Sequence, residues 1–218
     1  MSVALAELVA RLQEDIAQRE GVPSETQYAQ IVQDAVADFS RRRPLQRVAT
    51  LTIVSGTAEY DLPADFLRLI RLEGLFSQDG VIHSTSGLIP VSAGYEESFT
   101  IAGRTLTFYP TPSYSTSRDL TYAAAHVLEG GEYPDMTEED AGIVLLKAQA
   151  LALQTQARAS ALAGEVVEYA IGDERVKRAT VSEALSTQAK EAQQAYLEAV
   201  RAVVAPTGRR GTYTVTGR

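Results

Sequence analysis

The side chains that most often perform chemistry are sparse in this sequence and lack catalytic spacing. The two histidines, His83 and His126, are far apart and do not have the paired spacing of metal ligands, so we expect neither a metal nor a cofactor. Glu138, Glu139 and Asp140 could act as a paired acid and base, but helix capping and the helix dipole favour the same three acids. The chain has no cysteine, which excludes thiolate nucleophiles and zinc-thiolate sites.

The familiar catalytic and phosphate-binding motifs are also absent from the sequence. It contains no G-x-x-x-x-G-K-[ST], no G-x-G-x-x-G and no G-x-S-x-G. A catalytic site could still be assembled from scattered charged residues, namely Asp61, Asp65, Arg68 and Arg71. The absence of motifs favours a binding or structural role without turnover.

Composition narrows the class of protein further. A formal net charge of −8 argues against a protein that holds nucleic acid over its whole surface, because phosphate binding needs a basic surface. The sequence has no asparagine and therefore no N-glycosylation site. It shows no signal-peptide pattern and no apolar run of the roughly 18 residues that cross a bilayer, so we expect a soluble intracellular protein without membrane contact.

Four helices are predicted from apolar residues that recur at helical spacing. Ser24 and Gln27 form a capping box at the second helix, whose C-terminal arginines, 41–43, complement the helix dipole or, alternatively, form an anion-binding patch. Ser182 is a predicted N-cap for the last helix. The predicted helices span 5–16, 24–43, 137–163 and 182–204.

The helix over 137–163 is apolar on most of its surface and is predicted to be the central helix. Thr137 occupies its N-cap position. We expect Leu145, Leu146 and Leu153 to be buried, and the many alanines to let neighbouring helices approach closely.

Between the helix pairs the hydrophobic period changes from 3.6 to 2, which is typical of strands. Ala102-Gly103-Arg104 predicts a hairpin turn, and residues 77–95 are predicted to be an exposed loop. The fold class we predict is mainly α, a helical bundle of about four helices carrying a small antiparallel β element and an extended C-terminal tail. The predicted parts are 1–46 (helical pair), 47–128 (β-rich insertion), 129–205 (C-terminal helices) and 206–218 (tail).

Four runs of the sequence together resemble one family of phage proteins. The first is VATLTIVSGTAEYDLPADFLRLIRLE, residues 48–73, and three others follow it. These are LTFYPTPS at 106–113, LTYAAAHV at 120–127 and YPDMTEEDAGIVLLKAQALAL from Tyr133. The family is the head-to-tail connector, or adaptor, proteins of tailed bacteriophages, and the most distinctive piece is the Y-D-L-P-A-D-F stretch that begins at Tyr60.

The resemblance implies a structural virion protein at the head-tail junction that is made in the host cytoplasm. It implies a dodecameric ring between the portal protein and the next neck or tail protein, with viral DNA passing through the channel. It also implies that the tail docks on the portal. The residues expected to dock are Arg209, Arg210, Thr212, Tyr213, Thr214, Val215, Thr216 and Arg218.

Two other classes of protein stay open from the residues themselves. One is a cytoplasmic helical binding or regulatory module, which would have no use for the tail and the β insertion. The other is an enzyme with a site around Asp61, Asp65, Arg68 and Arg71, which should show a pocket with perturbed carboxylates.

Overall fold

The computed structural model describes residues 2–72, 98–163, 168–171, 174–177 and 181–204. These residues divide into two compact units, each with its own hydrophobic core. The helical unit is the described part of Met1–Arg43 and Val127–Arg218, and the β unit is the described part of Pro44–His126. In chain order the elements are β1 (Val3–Ala4), α1 (Leu5–Asp15), α2 (Glu25–Arg42), β2 (Leu45–Ile53), β3 (Glu59–Asp61), β4 (Phe66–Leu72), β5 (Ser98–Ala102), β6 (Thr105–Tyr109), β7 (Thr116–Ala124), β8 (Glu132–Tyr133), α3 (Glu138–Ala163), β9 (Glu168–Ile171), β10 (Glu174–Lys177) and α4 (Val181–Val204).

Side-chain caps determine where two of the helices begin. At α2 the Ser24 hydroxyl accepts from the Gln27 amide at 3.3 Å, and the Ser24 amide donates to the Gln27 side chain at 2.8 Å, which confirms the predicted capping box. At α3 the Thr137 hydroxyl accepts from the Asp140 amide at 3.2 Å, as an N-cap should. The predicted N-cap at Ser182 is wrong, because Ser182 lies inside α4 and its hydroxyl donates to the Ala157 carbonyl.

Helix α3 contacts each of the other three helices of the helical unit. Its fully buried Val144 and Ala148 belong to the same core as Phe39 of α2 and Tyr196 of α4. The predicted burial of Leu145 and Leu153 is confirmed, whereas Leu146 is only partly buried at the edge of the core. The unit also holds two antiparallel ribbons, β1 with β8 and β9 with β10.

The β unit is a sandwich of two antiparallel three-stranded sheets. The first sheet has the strand order β2-β7-β4, and the second has the order β3-β6-β5. The predicted hairpin is confirmed between β5 and β6, where Gly103 adopts a φ of +61° that favours glycine. The inner faces of both sheets contribute to one core, which contains Leu51, Ile53, Leu62, Leu72, Phe99, Leu106, Phe108, Leu120, Tyr122 and Ala124.

The predicted fold class is therefore wrong: the chain has a mixed α/β fold and not a mainly helical bundle with a small β element. The strands of the sandwich alternate apolar and polar side chains and bury a core of their own, so the β part is a folded unit in its own right. The ribbon of β9 and β10 was not predicted from the sequence. The Gly172-Asp173 dipeptide between these strands is a hairpin signal that could have identified it.

Candidate functional site

The four charged residues of the enzyme hypothesis do not converge in the structure. Asp61 is exposed on the outer face of the second sheet, whereas Arg68 and Arg71 belong to the outer face of the first sheet. Asp65 is buried in the turn between β3 and β4. Because the sandwich core separates the two outer faces, one small substrate cannot contact all four residues.

The carboxylate of Asp65 is occupied by structural contacts within the β unit. Arg47 of β2 donates to one of its oxygens at 2.8 Å, and the hydroxyl of Tyr122 in β7 donates to the other at 3.1 Å. The backbone carbonyl of Asp65 also accepts from the Ala125 amide at 2.8 Å. Burial, and then the hydrogen bond to Asp65, raises the pKa of the Tyr122 hydroxyl. These contacts fasten the β3–β4 turn to the first sheet, so Asp65 has a structural role.

Two of the three arginines at the end of α2 are paired with acids. Arg42 donates to Asp38 at 2.9 Å, and Arg43 forms an ion pair with the buried Asp140 of α3. Asp140 also accepts from the Thr137 hydroxyl at 2.8 Å, so the same carboxylate caps α3 and binds α2. Arg41 is exposed. Arg43 therefore joins the end of α2 to α3, Arg42 pairs within α2, and the cluster is not a free anion-binding patch.

A second polar cluster connects the buried sides of α2, α3 and α4. The hydroxyl of the fully buried Tyr196 donates to Asp38 at 2.7 Å, and Arg42 and Lys147 lie 5.7 and 5.8 Å from the centre of its ring. Lys147 donates to Gln193 at 2.7 Å. Burial first, and the hydrogen bond to Asp38 second, strongly raises the pKa of Tyr196. The hydroxyl is thus held as a neutral donor within the helical unit.

The arginine face is the outer face of the first sheet together with the adjacent bulges of β4, and it is defined by Val48, Leu67, Arg68, Ile70 and Arg71. Val48 is 63% exposed, and Leu67 and Ile70, which lie where β4 slips its register against β7, are 39% and 43% exposed. Exposed aliphatic side chains beside arginines are typical of a surface that another macromolecule covers.

The acidic face is the outer face of the second sheet, defined by Glu59, Asp61, Thr100, Thr107 and Tyr109. Glu59 and Asp61 are exposed on either side of Tyr60, whose ring turns inward against Phe108. Sequence analysis did not single out Glu59, although its period-2 spacing from Asp61 predicts that both acids share one face.

Several residues predicted to function lie outside the described part of the chain. They are the docking residues Arg209, Arg210, Thr212, Tyr213, Thr214, Val215, Thr216 and Arg218, and the loop 77–95. His83, which we did not predict to bind a metal, also lies outside it. The other histidine, His126, is described and is buried.

Within the described ranges, no group of three or more histidine, aspartate or glutamate side chains is arranged to hold a metal ion. Among those same residues, no helix combines the length and hydropathy needed to cross a membrane. No buried side-chain nitrogen or oxygen of the described residues lacks a hydrogen-bond partner. The two outer faces of the β unit combine exposed apolar or aromatic side chains with exposed charged ones.

Comparison with known protein families identifies the family of the chain. The family model described as the SU10 adaptor protein matches residues 3–218. No curated protein matches the sequence. The matched range includes both units and continues beyond α4 to the last residue of the sequence.

Proposed function

The chain belongs to the SU10 adaptor protein family, and from this premise we propose that it forms a ring between the phage portal and the next neck or tail component. Membership in this family makes it a structural adaptor protein of a phage virion that interacts with other neck proteins. The ring, the docking on the portal and the lining of the DNA channel are the proposed details.

The main support for the docking proposal is that the family match includes the C-terminal tail. The match continues through residue 218, whereas the last helix ends at Val204, so the tail is part of what the family model covers. The tail from 206 to 218 contains three arginines and no acid. A segment so short and polar cannot bury a core of its own, and a binding partner supplies the contacts it lacks.

The docking mode we propose is strand addition to an exposed sheet edge of the portal. The residues Thr212, Tyr213, Thr214, Val215 and Thr216 are β-prone, and alternate members of this run can fill pockets on one face. Arg209, Arg210 and Arg218 would pair with portal carboxylates, which makes docking sensitive to salt.

The proposed channel is supported by the charge of the chain. A net charge of −8 in each copy favours an acidic ring interior, along which DNA slides without binding tightly. Residues 77–95 would contact the following component. A chain lacking 78–92 should then still bind the portal but fail to recruit that component.

Truncation after Ala205 tests the docking directly. The truncated chain should keep the helix content and thermal stability of the full chain, because every described element ends before residue 205, and it should no longer attach to portal-bearing heads. Arg209→Glu with Arg210→Glu should weaken attachment, whereas the charge-matched pair Arg158→Glu with Lys190→Glu, on exposed helix positions, should not.

Two results would contradict this assignment of the tail. Truncated protein that attaches to the heads with the affinity of the full chain would refute portal docking. Binding to bare duplex DNA that requires the tail, without any requirement for the portal, would instead assign the arginines to phosphate contacts.

A further inference from the structure

We propose that the arginine face of one copy binds the acidic face of the next copy, so that the β units join successive subunits head to tail. This inference rests on the proposed ring and names the surfaces that form it. The two faces lie on opposite sides of the same sandwich, so they cannot meet within one chain. A contact between different patches on identical copies is heterologous, and such contacts generate rings when the rotation between copies closes.

The arginine face has the composition of a protein-binding surface. Val48, Leu67 and Ile70 are exposed large aliphatic side chains, while Arg68 and Arg71 have no hydrogen-bond or ion-pair partner among the described residues. The described face includes one acid, Asp119, which pairs with Thr50 two residues along from Val48 and accepts from the Thr50 hydroxyl at 3.4 Å. Arginine is enriched at protein interfaces, and exposed apolar patches bordered by polar residues mark interaction sites.

The acidic face offers the complementary groups. Glu59 and Asp61 are exposed and project from the same side of β3, next to the hydroxyls of Thr100 and Thr107. Tyr109 adds a ring that is 54% exposed, which can cover aliphatic side chains on a partner. Arg104, in the turn between β5 and β6, donates its guanidinium to the Leu62 carbonyl at 3.4 Å.

These compositions favour a second copy over other occupants. Two identical arginine faces would place Arg68 and Arg71 against the same cations, and like charges disfavour that pairing. DNA would gain two phosphate contacts but would leave three aliphatic side chains without a partner, in a chain whose net charge is −8. The acidic face of another copy offers both opposite charge and an exposed ring, that of Tyr109.

Charge reversal on each face tests the contact. The first variant carries Arg68→Glu with Arg71→Glu, and the second carries Glu59→Lys with Asp61→Lys. The matched controls reverse exposed helix residues by the same charge: Arg158→Glu with Lys190→Glu, and Glu14→Lys with Glu191→Lys. Self-association of each full-length protein is measured by sedimentation velocity, at low and high salt and at concentrations up to about 1 mM.

Wild type and both controls should associate in low salt and dissociate as salt rises. Each reversed variant alone should associate about tenfold or more weakly, because every contact would then join like charges. An equimolar mixture of the two reversed variants should associate again, since each altered face now meets its complement on the other protein. A chain carrying all four reversals should also associate with itself.

The proposal is overturned if wild type stays monomeric up to about 1 mM in low salt, if the reversals behave like their controls, or if the mixture does not recover. Circular dichroism of each variant separates lost contact from lost folding, and recovery in the mixture requires folded chains. Attachment to portal-bearing heads is measured in parallel. If the protein associates with itself but does not attach to the heads, only the docking function is contradicted. If it attaches to the heads but does not associate with itself, only the contact between faces is contradicted.

Discussion

Removing one hydroxyl, that of Tyr196, tests how the helical unit is held together. The Tyr196 side chain is fully buried, and its hydroxyl donates to Asp38 at 2.7 Å, beside the 2.9 Å hydrogen bond from Arg42 to the same oxygen. Tyr196→Phe keeps the ring in the core and removes only this donor. We expect the variant to fold and to be less stable at neutral pH.

The expected cost follows from the charge and exposure of the acceptor. A hydrogen bond to a charged group contributes about 1.5–3 kcal/mol. The Asp38 side chain is 24% exposed and keeps Arg42 as a partner, so we expect the lower part of that range, about 1.5–2 kcal/mol.

The loss should depend on pH in a defined direction. Burial alone would raise the pKa of Asp38, but hydrogen bonds from Arg42 and Tyr196 outweigh burial and hold the pKa below its usual value. A carboxyl with a lowered pKa contributes stability that is complete above its ordinary pKa of about 4 and is lost as the pH falls through the lowered value. The difference between wild type and Tyr196→Phe should therefore be full at pH 7 and shrink at acidic pH, below the ordinary carboxyl pKa of about 4.

Urea unfolding, followed by far-UV circular dichroism at neutral and at acidic pH, measures this difference in the free energy of unfolding. Tyr133→Phe is the matched control, because Tyr133 is 3% exposed in the same unit and burial alone raises the pKa of its hydroxyl, without the acidic acceptor that Tyr196 has. The control should lose little stability. Equal losses in the two variants, or a Tyr196→Phe loss that is unchanged at low pH, would refute the role given to this hydrogen bond.

Two further predictions concern the β unit. Asp65→Asn should cost about 1–2 kcal/mol in urea unfolding, because Arg47 loses its ionic partner while Tyr122 keeps an acceptor, and an unchanged midpoint would contradict the anchoring role. Leu106→Ala, at a fully buried position of the sandwich core, should cost about 2–5 kcal/mol, and a thermal unfolding curve like that of wild type would show that the core can collapse around the missing side chain.

The features predicted correctly from sequence are those specified by neighbouring residues. Ser24 and Gln27 form their capping box, and Gly103 turns the hairpin, because each depends on a few adjacent side chains. The limits of the central helix follow in the same way from Thr137 and the apolar run behind it.

The features missed depend on residues distant in sequence. The pairing of Val3 with Tyr133, and the anchoring of Asp65 by Arg47 and Tyr122, have no local signal. The wrong fold class came from treating a block with its own core as an appendage of the helices. The two outer faces could have been predicted in part from the sequence, since the spacing of Glu59 and Asp61 places both acids on one face of their strand. Recognising the two faces as opposite also required the strand order of both sheets.

The β unit is inserted into the sequence of the helical unit, and this insertion sets the order in which the two units are synthesised. A ribosome releases α1 and α2 first, then the whole of Pro44–His126, and only afterwards α3 and α4. The sandwich therefore has all its strands while Leu8, Leu12 and Phe39 still await the side chains of α3 that cover them. A nascent chain at this stage presents uncovered apolar helices, the kind of surface that molecular chaperones bind.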